Sequence, residues 1–280
     1  MRERTSYPAG VPCWVDSTQT DPGKAAEFYA LLFGWQVEDA MPPEGPGHYF
    51  VASLRGARVA AISSGCDAAP ATWNTYISVD SADESASKVT AHGGAVITAP
   101  FDVFDAGRMA VCADPDGALF SLWQPGRHIG AQLVNEPSTW NWSNLNTRDP
   151  AGARAFYKAV FGWEVATVDF GVGESWMWRR PGYADVLEQL DPGIKQRHRE
   201  AGAPEGFTDA IGWLQPITDS TPPRWDVTFS VDDTDAIVDR ARALGASVIT
   251  PPFDVPYSRM AVLRDPQGAT CTVSRFTPRD

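Results

Sequence analysis

The stretch WVDSTQTDPGKAAEFYALLFGW, residues 14–35, decides the fold, because WSNLNTRDPAGARAFYKAVFGW, residues 142–163, repeats it 128 positions further on. Trp14, Asp21-Pro22, Phe28-Tyr29 and Phe33-Gly34-Trp35 return as Trp142, Asp149-Pro150, Phe156-Tyr157 and Phe161-Gly162-Trp163 in unbroken register. Such a fixed offset marks an internal repeat. A second set follows at an offset of 152: Trp73, Ser78, Val79 and Asp80 match Trp225, Ser230, Val231 and Asp232. Thr98 and Pro100 to Val103 match Thr250 and Pro252 to Val255 at the same offset. One residue is then lost, and Arg108-Met109-Ala110-Val111 and Asp114-Pro115-Asp116-Gly117 match Arg259-Met260-Ala261-Val262 and Asp265-Pro266-Gln267-Gly268. The copies run over residues 10–126 and 138–277, with Gly126 to Pro137 as linker. The second copy gains about 24 residues, which fall at Gly182 to Gly206.

Each copy also repeats a pattern within itself. Trp14 to Asp16 opens a strand, and Asp21 to Phe33 reads as a helix with Thr20 or Asp21 as its cap and Pro22 in its first turn. Ala25, Phe28, Tyr29 and Leu32 give that helix one apolar face. Strands follow at Trp35 to Glu38, His48 to Leu54 and Arg58 to Ser63. The order restarts with a strand at Thr75 to Val79 and a helix at Ser81 to His92, ended by Gly93-Gly94. Ala95 to Thr98, Met109 to Ala113 and Leu119 to Trp123 complete it, with a hairpin turn at Asp116-Gly117. The prediction is an α+β chain of four βαβββ modules, two per copy.

Composition narrows the function classes. A chain of 280 residues suits two domains better than one core. With 43% hydrophobic and 21% charged residues it reads as folded rather than disordered. A net charge of −12 without a basic patch argues against nucleic acid, although it would attract a cationic ligand. No apolar run reaches the roughly eighteen residues of a membrane span. Met1 to Gly10 has two arginines with no apolar run behind them, so no secretion signal is expected and the cytoplasm is the default compartment. Cys13, Cys66, Cys112 and Cys271 stand singly and read as buried free thiols. Phe170-Gly171-Val172-Gly173-Glu174 lacks the third glycine of a dinucleotide loop, so no nucleotide cofactor is expected.

Asp-Pro opening the helix, Phe-Tyr inside it, Phe-Gly-Trp after it and Asp-Pro-Asp-Gly before the last strand together resemble the glyoxalase, bleomycin-resistance and extradiol-dioxygenase superfamily. The likeness spans Val11 to Ser274 and is closer to the two-domain actinobacterial members, which often carry a hydroxylase label. It implies tandem glyoxalase-like domains, each an open cupped sheet of two modules with ligand or metal in the cup. It also implies a fused form of a two-chain assembly: a monomer with pseudo-twofold domain pairing, or a homodimer.

Metal-dependent members of the superfamily carry a histidine at the position of Trp14 and Trp142, and a second at Asn74 and Asp226. They carry a glutamate at Ser121 and Thr272. Of these ligand types only Asp226 remains, and His48, His92, His128 and His198 form no metal-binding spacing. No metal and no other cofactor is therefore expected. On one face of the first strand stand Trp14, Asp16 and Thr18, and on its counterpart Trp142, Asn144 and Asn146. The resemblance places these faces in the cups, with Trp123 at the end of a strand as a further wall for a flat or amphipathic ligand. The alternative is that these indoles are core, and Trp73 and Trp225 are expected to pack modules together. Arg108 and Arg259, with Asp105 near the first, would grip a ligand anion or form structural ion pairs. Asp114 and Asp265 read as turn residues. The insertion, with Lys195, Arg197, His198 and Arg199, reads as a solvated polar helix, against a lid or a dimer contact. Three functions remain open: a metal-independent binding protein for an aromatic, cationic or amphipathic small molecule; a metal-independent enzyme using Asp16, Asp226 or His48; and a metal lyase or dioxygenase, which the substitutions disfavour.

Overall fold

The computed structural model describes residues 3–65, 70–171 and 173–277. Cys66 and Val172 lie outside them, while Cys13, Cys112 and Cys271 are free and buried. The first module is β1 (Pro12–Gln19), α1 (Pro22–Phe33), β2 (Gln36–Asp39), β3 (Tyr49–Leu54) and β4 (Ala57–Ser64). The second is β5 (Thr72–Ser78), α2 (Ala82–Ala91), β6 (Ala95–Val103), β7 (Gly107–Ala113) and β8 (Leu119–Pro125). The third is β9 (Trp140–Thr147), α3 (Pro150–Phe161), β10 (Glu164–Asp169) and β11 (Glu174–Arg179), closed by β12 (Ala210–Pro216). The fourth is β13 (Arg224–Ser230), α6 (Thr234–Ala243), β14 (Ser247–Val255), β15 (Ser258–Arg264) and β16 (Thr270–Phe276). Among the described residues no helix is long and apolar enough to cross a membrane.

Each pair of modules makes one sheet of 8 strands, in the orders β2-β3-β4-β1-β5-β8-β7-β6 and β10-β11-β12-β9-β13-β16-β15-β14. The opening strands of the two modules pair antiparallel at the centre, and each lies parallel to the closing strand of its own module. Local chemistry sets the helix ends as the sequence suggests. The Asp21 and Asp149 carboxylates accept the N–H of Lys24 and Gly152, satisfying donors that a helix start leaves unpaired. Gly34 and Gly162 end the helices at φ 75° and 71°, a left-handed conformation that glycine adopts without strain.

The Phe-Tyr helices join the copies. Tyr29 donates from its hydroxyl to Asp265 at 2.9 Å and accepts from Trp73 Nε1 at 3.0 Å. Tyr157 repeats this with Asp114 at 3.2 Å and Trp225 Nε1 at 3.1 Å. The turn aspartates therefore have two tasks, since their Oδ1 atoms also accept the N–H groups of their own turns. Phe33 meets Phe229 and Phe120 meets Phe161 across the same boundary, extending one aromatic core through both copies.

The 24-residue gain replaces a hairpin. In the first copy β3 turns into β4 through Arg55-Gly56, both at positive φ, as a tight two-residue hairpin requires. At the same place the second copy inserts α4 (Tyr183–Leu190), α5 (Ile194–Glu200) and a single 3-10 turn at Phe207–Asp209. These are two helices, not one polar helix in solvent: Tyr183, Leu187 and Ile194 are buried. Tyr183 and Leu187 stand about one helical turn apart on α4 and give it an apolar face, which Ile194 at the start of α5 extends over the cup of the second sheet.

Candidate binding cleft

The two cups share a backbone but not their contents. In the first, Asp16 is 2% exposed and its carboxylate is fully used. Oδ2 accepts from Tyr76 at 2.7 Å and Tyr49 at 3.2 Å, and Oδ1 accepts from Asn74 at 2.8 Å. Burial raises its pKa, and those three hydrogen bonds only partly oppose the shift. Trp14, also 2% exposed, donates to the Tyr49 hydroxyl at 2.9 Å. The linker completes the plug. His128 sets its ring edge-on against Trp14 at 4.5 Å and packs on Trp123 at 5.5 Å. Trp123 Nε1 donates to the His128 carbonyl, and Ser121 is buried beside Tyr76. Trp14, Asp16, Asn74, Ser121 and Trp123 therefore form an interior rather than the wall of an open cup.

The second cup is open because its bulky groups have small counterparts. Tyr76 is replaced by Thr228, Trp123 by Ser274 and Asp16 by Asn144, all of which line a cleft of about 770 Å³. Trp142 and Trp213 stand in it at 6.2 Å, with Phe207 6.0 Å from Trp142 and Phe170 6.0 Å from Trp213. The inserted helices roof it with Tyr183, Leu187, Ile194, Arg197 and His198. His198 bonds Thr208 Oγ1 through Nδ1 at 2.9 Å, and burial followed by the Arg197 charge lowers its pKa. Asn144 Oδ1 and Trp140 Nε1 are buried in this lining without a hydrogen-bond partner. Trp213, Tyr183, Leu187 and Ile194 are not marked by the sequence reading, whereas Arg197 and His198 are, as part of an insertion read as a solvated helix in preference to a lid. The Tyr-to-Thr and Trp-to-Ser exchanges between copies were the signal that would have found this cleft.

Several other expected positions lie elsewhere. Arg108 is held by Asp83 and Asp102, and Arg259 by Asp235 and Asp254. Each arginine fastens a helix start to a neighbouring strand, so both guanidinium groups are engaged, and neither residue lines the cleft. Asp105 pairs with Arg127 instead. Asp226 is gripped by Arg224 at 2.8 Å and by Asn146 at 2.9 Å, and it too is outside the cleft lining, as is Thr272. His48 sits on an exposed edge against Asp39.

A metal does not fit these donors. The family-type positions hold indoles, amide and hydroxyl groups and one aspartate that is already ion-paired. Among the described residues no three His, Cys, Asp or Glu side chains converge.

Comparison with known proteins fits this picture of the fold. Residues 14–122 match the Glyoxalase/Bleomycin resistance protein/Dioxygenase superfamily, and residues 142–274 match the Glyoxalase-like domain. The chain belongs to the glyoxalase/bleomycin resistance/dioxygenase superfamily. It is 39% identical to the Mycobacterium tuberculosis protein named "Putative glyoxylase CFP32", over 100% of both chains. It is 36% identical to the "Anthracycline biosynthesis protein DauV" of a Streptomyces species, over 96% of this chain and 94% of that one. Among solved structures, the Mn(II)-bound glyoxalase of Novosphingobium aromaticivorans aligns with a TM-score of 0.61 at 16% identity, covering 97% of this chain and 84% of that one. At that identity the likeness speaks for the superfamily fold alone.

Proposed function

We propose that this superfamily member binds a flat aromatic small molecule in its second cup, and does so without a metal ion. The observation that carries the reading is the cleft of about 770 Å³ walled by Trp142, Trp213 and Phe207. That volume is within the range of small-molecule sites, and its mix of aromatic walls with a few polar atoms is theirs too. Indole faces favour flat ligands, because stacked rings gain more than burial alone provides. Relatives named for anthracycline biosynthesis add weight, since anthracyclines are polycyclic aromatic compounds. The reading takes the cytoplasm as its compartment, in keeping with three buried, unpaired cysteines.

A second reading, an enzyme acting on the bound molecule, has His198 in its favour. Burial and the Arg197 charge lower its pKa, which favours the neutral ring that a general base requires. Asp16 does not serve this reading, because its carboxylate is saturated inside the closed cup.

The test is a binding titration with a hydroxyanthraquinone, read by tryptophan quenching and by calorimetry, with and without chelator. Trp142→Ala is expected to weaken binding about tenfold or more by removing a stacking face, and chelator is expected to change nothing. Trp14→Ala is expected to leave affinity unchanged while costing roughly 3–5 kcal/mol of stability, as for a buried aromatic. Loss of affinity in Trp14→Ala with none in Trp142→Ala would assign the site to the wrong cup.

A further inference from the structure

The cleft holds a positive charge for which the described residues supply no carboxylate counter-ion. Arg4 lies before the first repeat, yet its side chain lines the cleft of the second copy. It is 6% exposed. Its Nε is buried without a hydrogen-bond partner, and its guanidinium rests 5.9 Å from the centre of the Tyr183 ring. Among the described residues no carboxylate forms an ion pair with it. The main chain explains how it is held there: Arg4 N–H donates to the Gln132 carbonyl at 2.8 Å, fixing the N-terminal segment to the linker.

A buried guanidinium without a partner is costly, since charge is removed from water and nothing replaces the lost solvation. Arg108, Arg224 and Arg259 each meet carboxylates, whereas Arg154, with Nε and Nη2 likewise unpartnered, lies over the Trp176 ring outside the cleft lining. Arg197, the other arginine of the cleft, pairs with Asp191 at 2.6 Å. Among the described residues the lining contains no aspartate or glutamate, in a chain whose net charge is −12. Selection of ligand by charge is therefore opposite to what the overall acidity suggests.

We propose that the ligand of the second cup is an aromatic monocarboxylate, its ring system between the indoles and its carboxylate on Arg4. This rests on the binding reading above and adds the charge of the ligand. One unpaired guanidinium matches one negative charge and presents the planar fork that a carboxylate accepts. A phosphate group would bring more charge, and the cleft offers it neither a second unpaired arginine nor a glycine-rich loop.

Calorimetric titration of the full chain with 9-anthracenecarboxylate and with its neutral amide tests this directly. The wild-type protein is expected to prefer the carboxylate about tenfold or more, the scale of a charge-assisted hydrogen bond. Arg4→Gln is expected to lose the preference for carboxylate over amide, and Arg4→Lys to keep part of it. Equal wild-type affinity for the two probes would overturn the charge assignment while leaving the aromatic cleft intact. Failure of both probes to bind wild type would overturn the binding reading and this inference together. The wild-type comparison stands even if the variants prove unstable.

Discussion

His128 shows what a single side chain decides in this molecule. Its ring is wedged against Trp14 and Trp123, and burial, followed by the nearby Arg58 charge, pushes its pKa down to about 4. In the unfolded chain the ring would take up a proton near pH 6.5. Between those values the unfolded state binds a proton that the folded state refuses, so stability falls as pH falls through this window. The contribution is on the order of 2–3 kcal/mol. Asp16, with its raised pKa, works in the opposite sense, because the folded state takes up its proton first as pH falls. Comparing variants separates the two. Melting temperature is expected to drop less between pH 7.5 and 4.5 in His128→Phe than in wild type, and equal drops would remove His128 as the buried base. The same closed cup explains why Trp14 and Asp16 were expected to line a site. A strand face records alternation, but not whether a linker returns to cover it. The two Arg–Asp clamps were legible only as a choice, since the partners Asp83 and Asp235 come from helices distant in sequence.

Among the elements, the succession of strands and helices along the chain, the helix caps and the Phe-Tyr helices followed from local patterns, because periodicity and capping chemistry act within a few residues; the pairing order within each sheet did not. Nor did the insertion. Of its basic cluster Lys195 and Arg199 lie outside the cleft lining, whereas Arg197 and His198 join Tyr183, Leu187 and Ile194 in it. Charged residues close in sequence obscured apolar residues spaced by helical turns. Since the first copy closes the same hairpin with Arg55-Gly56 between the paired Leu54 and Ala57, whose counterparts are Arg180 and Asp209, residues 181–208 are replaceable by Arg-Gly without breaking the sheet register. Such a variant is expected to retain a cooperative thermal transition and to lose aromatic binding by about a hundredfold, the consequence of opening one wall to water. Retained affinity, measured by the same tryptophan quenching, would show that the helices are not part of the site.

At the scale of the whole molecule, the two copies keep one fold and differ in what fills their cups. The copies share strand order, capping and a reciprocal tyrosine–aspartate clasp that binds each to the other. They differ where Tyr76, Trp123 and Asp16 of one become Thr228, Ser274 and Asn144 of the other. Side chains in the first set turn a cup into a core, and the second set leaves a cleft of about 770 Å³. The N-terminal segment and the linker then serve both cups, with His128 filling the first and Arg4 charging the second. The measurement that tests this account most directly is a crystal structure of the full chain with 9-anthracenecarboxylate. The account predicts one molecule in the second cup, its rings against Trp142 and its carboxylate on Arg4, with His128 still seated in the first. Ligand density in the first cup with His128 displaced would contradict it.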